Sequence, residues 1–218
     1  MAHIKYVIFD FDGTLVDSRR IFLPIFNQLA EKHGFKKLSG ADLEKLKSRS
    51  LVERARFLDF PMGKLSFMAA EFYRLYKRSL GALTFFEGIE ELLRELTASG
   101  LKLAVISSNS KKNISTFFEQ KNIDCFDRVI CSSKIFGKDA MIDGFLKANK
   151  LLPSEVIYVG DEQRDVVACR KSGIKVIWVP WGFDSLEVFE AEGPDYTVEK
   201  PREILSIIQS ANVSAKFA

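Results

Sequence analysis

Five short apolar runs set the frame of this chain: residues 4–9, 101–106, 128–131, 156–159 and 175–179. None of them alternates strictly between apolar and polar residues. A strand with one wet face alternates, whereas a continuous apolar run needs cover on both faces, and parallel sheets wrapped by helices provide it. The segments between the later runs carry helical periodicity. Ile89, Leu92, Leu93 and Leu96 share one helix face, with Gly100 placed as a C-terminal stop. Met141, Ile142, Phe145 and Leu146 form a second apolar face, and Val166, Val167 and Cys169 a third, ahead of Gly173. Pro201 is placed to open a last helix that buries Ile204, Leu205 and Ile208. Strand–helix–strand repetition of this kind predicts an α/β fold, a doubly wound parallel sheet with a Rossmann-like core of five main strands.

One interval breaks the rhythm. Residues 10–100 separate the first strand from the second, far more than one crossover helix requires. Helical patterns fill the interval: residues 19–33 up to Gly34, with Pro24 near the start or at a kink, then segments after Ser39, after Ser50 and from Pro61. The last of these aligns Met62, Leu65, Met68 or Ala69, Phe72 and Leu75 or Tyr76 on one side. The expected organisation is a core of residues 1–16 and 83–218, with an all-helical insert over 17–82.

Composition narrows the function classes. The chain has 218 residues, 47% apolar, with a net charge of only +3, so it is long enough for one substantial core and too apolar for disorder. Its basic residues form no long run, so the pI near 8.7 does not by itself argue for a nucleic-acid partner, and none is expected. No apolar stretch reaches membrane-spanning length, and the amino end shows no signal-peptide pattern. Three cysteines, Cys125, Cys131 and Cys169, suit neither a disulfide framework nor a structural zinc site. The expectation is a cytoplasmic protein that takes a small anionic molecule, as a monomer or a weak homodimer.

The chemistry concentrates where the strands end. The first runs into Asp10-Phe11-Asp12-Gly13-Thr14. In open α/β sheets ligands bind beyond the carboxyl ends of strands, and side chains two apart on a strand point the same way. Asp10 and Asp12 would then crowd together and require a cation or a shared proton. A hard divalent ion such as Mg2+ meets that need. The second strand ends in Ser107-Ser108-Asn109-Ser110, donors suited to a phosphate and equally to capping the next helix. The fourth ends in Gly160-Asp161, with Asp165 one helical turn on, and Lys138 stands at the head of another helix.

These four segments, taken in order, resemble the haloacid dehalogenase superfamily, specifically its phosphatase branch. Asp10 through Ser18 match the first motif of that family, Ser108 with Asn109 the second, Lys138 the third, and Gly160-Asp161 with Asp165 the fourth. The segments 179–184 and 193–196 look like those of phosphoglycolate-phosphatase-type members, and the helical insert lies where that branch carries its cap. Two details depart from the pattern. Ser107 adjoins Ser108 and competes for the second motif, and Lys138 is followed by Asp139-Ala140-Met141 in place of a proline-containing run.

The resemblance implies Mg2+-dependent hydrolysis of a small phosphomonoester. Asp10 would be the nucleophile and Asp12 the general acid and base. The metal would be held by Asp10, the Asp12 carbonyl and Asp161, with Asp165 acting through water or by orienting Lys138. Gly13, Thr14, Ser108, Asn109 and Lys138 would surround the phosphoryl group, and Arg49, between two insert helices, would read the substrate. A sugar phosphomutase shares these motifs, and a catalytically silent binding protein on the same fold is the reading from another class. A dehalogenase would have no use for Asp12 and the metal set. A phosphonate hydrolase would need a lysine from the insert, where Lys45 and Lys47 carry no supporting motif. The 19 phenylalanines, Trp178 and Trp181 read as packing, and His3 and His33 lack ligand spacing.

Overall fold

The structure is a computed structural model, and it describes residues 3–60, 62–132, 137–189 and 193–216. Its centre is a six-stranded sheet, every neighbouring pair parallel, made of β1 (Tyr6–Phe9), β2 (Lys102–Ser107), β3 (Phe126–Cys131), β4 (Val156–Gly160), β5 (Lys175–Trp178) and β6 (Tyr196–Thr197). The order is β3-β2-β1-β4-β5-β6. The five expected strands are present, and β6 adds a two-residue edge too short to leave a periodic signal.

β1 lies between β2 and β4, with Phe9 in register with Val105 on one side and Val159 on the other. This strand order reverses direction at β1, so the chain leaves the sheet at neighbouring points after β1, β2 and β4. All four residues of β1 are buried, as continuous apolar runs demand. One layer of core sets Val7 and Phe9 against Leu92, Leu96, Phe117, Ile204 and Ile208. The other sets Tyr6 and Ile8 against Ile142, Phe145, Val166 and Cys169. Val167, expected on the buried face of its helix, is exposed. It lies about 100° around the helix from Val166, outside the stripe that Val166 and Cys169 define.

Between β1 and β2 run α1 (Arg19–His33), α2 (Gly40–Leu46), α3 (Leu51–Phe57), α4 (Leu65–Tyr76) and α5 (Ile89–Ala98). Local chemistry fixes the ends of the first three. Gly34 closes α1 in a left-handed conformation. Ser39 with Asp42, and Ser50 with Glu53, form reciprocal capping boxes that start α2 and α3. Pro24 is accommodated within α1. Pro61, expected to open the next helix, lies outside the described residues; a 3-10 turn over Met62–Lys64 leads into α4. The chain leaves and re-enters the sheet side by side: Val16 bridges Phe85, and Asp17 N–H donates to the Thr84 carbonyl at 2.9 Å. The remaining helices are α6 (Lys111–Lys121), α7 (Lys138–Asn149), α8 (Gln163–Lys171) and α9 (Arg202–Lys216).

Candidate active site

Asp10 follows the last residue of β1, and its backbone N–H still donates to Val159 of β4 at 2.9 Å. The strand therefore holds the residue in place while its side chain projects past the sheet. Asp10 Oδ1 accepts from the Phe11 backbone N–H at 2.7 Å, and Oδ2 accepts from Lys138 Nζ at 2.6 Å. Lys138, the first residue of α7, is buried and also donates to Asp165 on α8. Burial alone would lower its pKa, but Asp10 and Asp165 outweigh that and hold the ammonium charged.

Asp12 has different surroundings. Tyr76, the last residue of α4, donates its hydroxyl to Asp12 Oδ1 at 2.5 Å, and Asn109 Nδ2 donates to Oδ2 at 2.8 Å. Burial pushes the Asp12 carboxyl up to about 6, with the nearby Asp10 adding to the rise and the Tyr76 bond opposing it. Asp10 and Asp12 thus have different partners, an ammonium for the one and neutral donors for the other.

Asp161 follows β4 and is enclosed. Thr14 Oγ1 donates to its Oδ1 at 2.7 Å, and Phe183 N–H donates to Oδ2 at 2.8 Å. Gly13, at φ 79°, and Gly182 leave the space this carboxylate fills, because a Cβ on either would collide with it. Burial raises the Asp161 pKa well above the ordinary range, and Glu162, Asp10 and Asp165 raise it further. Asp165 is pushed up to about 7 by burial, against the pull of Lys138.

Carboxylate oxygens of Asp10, Glu162 and Asp165 lie within 4.8 Å of one another. Oxygen donors gathered at that spacing, beside two further carboxylates and with Lys138 and Arg164 as the cations in contact, fit a hard divalent ion. The acidic trio includes Glu162, which sequence reasoning passed over. Glu162 is bound by Arg164 Nε at 2.7 Å, and this pairing draws its pKa down against the burial that pushes it up. Arg164 was also missed. Its Nη1 donates to Ser108 Oγ at 3.0 Å, which holds that oxygen beside the guanidinium. Ser107 Oγ instead accepts from the Asn109 N–H at 3.1 Å and braces the loop.

A cavity of about 810 Å³ opens over these groups, lined by Asp10, Asp12, Ser107, Ser108 and Lys138 from the sheet side and by residues of α1–α4 from the insert. Gly13 and Thr14 do not reach it. They serve Asp161 from beneath, so their expected contact with a phosphoryl group is replaced by a supporting one. Arg49 is also absent from the lining. Its side chain, in the turn between α2 and α3, is 54% exposed and faces Glu53. Arg54 of α3 reaches the cavity instead and pairs with Asp184 of the sheet domain, whose Oδ2 accepts from the Gln163 N–H at 2.6 Å. The two tryptophans pack as expected and do one thing more. Trp178 donates to the Asp161 carbonyl at 2.9 Å and Trp181 to the Thr14 carbonyl at 3.1 Å, tying down both loops.

A carboxylate paired with a buried ammonium, and further buried carboxyls around it, thus gather at the mouth of a parallel sheet and under a set of helices. Residues 7–179 match the haloacid dehalogenase-like hydrolase family, and the chain belongs to that family. It is 33% identical over 213 residues to a phosphoglycolate phosphatase of Synechococcus elongatus, covering 94% of this chain and 97% of the relative. It is 26% identical over 217 residues to an N-acetylmuramic acid 6-phosphate phosphatase of Pseudomonas aeruginosa, covering 95% and 96%. A haloacid dehalogenase-like family protein of Streptococcus pneumoniae shares the fold, with a TM-score of 0.77 at 24% identity, over 96% of this chain and 100% of that one. The chain is an enzyme, a hydrolase of the phosphatase branch.

Proposed function

We propose that this enzyme is a Mg2+-dependent phosphatase that hydrolyses a small organic phosphomonoester through an aspartyl-phosphate on Asp10. The observation that carries the reading is the contrast between Asp10 and Asp12. Asp10 accepts from an ammonium and a backbone amide, which suits a carboxylate nucleophile. Asp12, pushed up to about 6 and held by Tyr76 and Asn109, suits a group that must give a proton and later take one.

In this reading Asp10 attacks phosphorus as Asp12 protonates the departing oxygen. Asp12, now a carboxylate, removes a proton from the water that attacks the aspartyl-phosphate, releasing phosphate and restoring Asp10. Lys138 and Ser108 would meet the phosphoryl oxygens, so most of the rate comes from positioning and charge stabilisation. Asn109, expected there too, is buried, absent from the cavity lining and committed to Ser107 and Asp12. Asp10, Asp165 and Glu162 would hold the metal, with the Asp12 carbonyl and Asp161 as the further donors that the family resemblance suggests. When bound, the ion supplies positive charge to the phosphoryl oxygens and offsets the crowding of carboxylates. Asp165 also keeps Lys138 aimed at Asp10.

Residues 17–82 would form a cap that closes over the site and excludes water until Asp12 can direct one. Small phosphorylated metabolites fit beneath such a cap; phosphoproteins do not. Among the described residues no helix is long and apolar enough to cross a membrane. The three free thiols suit a reducing cytoplasm. The test is phosphate release from a phosphomonoester panel with Mg2+ and with EDTA, plus product analysis on sugar phosphates. Metal-dependent free phosphate is the expected result, and an isomerised sugar phosphate would mark a mutase.

A further inference from the structure

The cavity does not end at the reacting groups. It continues between α1 and α4, where Phe22, Phe26, Phe72 and Tyr73 line it together with Phe183 from the loop after β5. All five are only half-buried. Four of the rings form a connected row. Phe22 stacks on Phe26 with centroids 5.7 Å apart, meets Phe72 at 5.4 Å and meets Phe183 at 5.5 Å. Phe183 also donates its N–H to Asp161, so the row begins one residue from the site carboxylates and ends inside the insert. Tyr73 extends it toward Phe72 at 5.6 Å.

Half-buried rings on a cavity wall hold apolar surface in water, and a ligand that covers them removes that cost. The volume of about 810 Å³ far exceeds a two-carbon acid and falls in the range of cavities that take drug-sized ligands. Polar lining residues such as Glu44, Lys47 and Arg54 can meet hydroxyls elsewhere in the cavity. The phenyl faces of Phe22, Phe26 and Phe72 offer an open-chain polyol no partner, so only a ligand with an apolar face covers this wall. We infer that the organic part of the substrate carries a planar apolar ring that lies along Phe22 and Phe72 while its phosphoryl group meets Asp10. This rests on the phosphomonoesterase reading and narrows it to ring-bearing phosphomonoesters.

The experiment compares esters whose leaving alcohols are similarly acidic, so that a preference reports binding and not leaving-group chemistry. Steady-state kinetics with Mg2+ would use 2-phenylethyl phosphate, n-propyl phosphate, phosphoglycolate and ribose 5-phosphate. The expected result is kcat/KM at least about tenfold higher for 2-phenylethyl phosphate than for n-propyl phosphate, mostly through KM. Phe22→Leu keeps an apolar side chain without a ring and should cut that ratio to about threefold or less. Binding of 2-phenylethylphosphonate against propylphosphonate to the wild-type enzyme, read as a shift in Tm, gives the same comparison without turnover or a variant. Equal or better use of phosphoglycolate or ribose 5-phosphate, with equal phosphonate affinities, would overturn the ring and leave the phosphatase intact. Failure of every ester to release phosphate would sink the phosphatase reading, and the phosphonate pair would still decide the ring.

Discussion

Tyr76, the last residue of α4, donates its hydroxyl to Asp12 Oδ1 at 2.5 Å, so a side chain from the helical insert holds the proposed acid and base of the sheet domain. Tyr76 is buried, and its hydroxyl bond ties the end of α4 to the loop after β1. Positioning of this kind should matter most when the leaving group needs a proton. Tyr76→Phe should therefore slow alkyl phosphates by about tenfold or more, within the range assigned to general acid catalysis, and slow an activated aryl phosphate much less. Equal loss on both ester types would assign Tyr76 a purely structural part.

Metal-free stability should depend on pH with a definite sign. Asp12 and Asp165 are raised by burial to about 6 and about 7 in the native protein, above the ordinary aspartate value of 3.8. Across roughly pH 5 to 7 the native state retains protons that the unfolded chain has released, so both groups subtract stability as pH rises through that window. The carboxylates held below their ordinary values, such as Asp17 and Glu71, titrate below the window and do not mask the effect. Asp12→Asn should consequently gain more Tm over wild type at pH 8 than at pH 5, measured in EDTA. Mg2+ should raise the wild-type Tm by mass action and lessen the decline. A Tm advantage for the variant that shrank from pH 5 to pH 8 would contradict this.

The space around Asp161 is a second point of sensitivity. A methyl group at Gly182 would collide with the Asp161 carboxylate. Gly182→Ala should destabilise the protein by about 1–3 kcal/mol, as overpacking does, and should weaken Mg2+ binding by displacing that side chain. Chemical denaturation and a Mg2+ titration of Tm check both effects.

Arg49 and Arg54 should separate cleanly. Arg49→Ala, on an exposed turn, should leave KM unchanged and stability within about 0.5 kcal/mol. Arg54→Ala breaks a largely buried pair with Asp184 and uncouples α3 from the loop that holds the Gln163 amide, so it should cost about 1–3 kcal/mol and alter KM. Kinetics and melting of the two variants side by side are the check.

These residues also show what a sequence can and cannot disclose. The apolar runs, the Asp-x-Asp-Gly at a strand end, and the serine caps at Ser39 and Ser50 all act through neighbours within a few positions, so their patterns were readable. Strand order then sets β1 between β2 and β4, so Asp10, Ser108 and Asp161 follow neighbouring strands. Tyr76 was visible only as one more residue on an apolar helix face, because its partner is 64 positions away. Glu162 and Arg164 lie within the fourth motif, between Asp161 and Asp165, but nothing local states that their charges turn toward Asp165 and Ser108. The position of Arg49 between two helices points to the site, yet Arg54, five positions on and inside α3, is the arginine that reaches the cavity.

The central claim is that Asp10 becomes phosphorylated. Its most direct test is intact-mass and peptide analysis of enzyme quenched in acid during turnover, for wild type and Asp10→Asn. The account predicts one phosphoryl group on the peptide that contains Asp10, absent from the variant, with the variant folded and its turnover lost. A folded Asp10→Asn enzyme that hydrolyses substrate at a rate near wild type, with no adduct on either protein at any quench time, would contradict it.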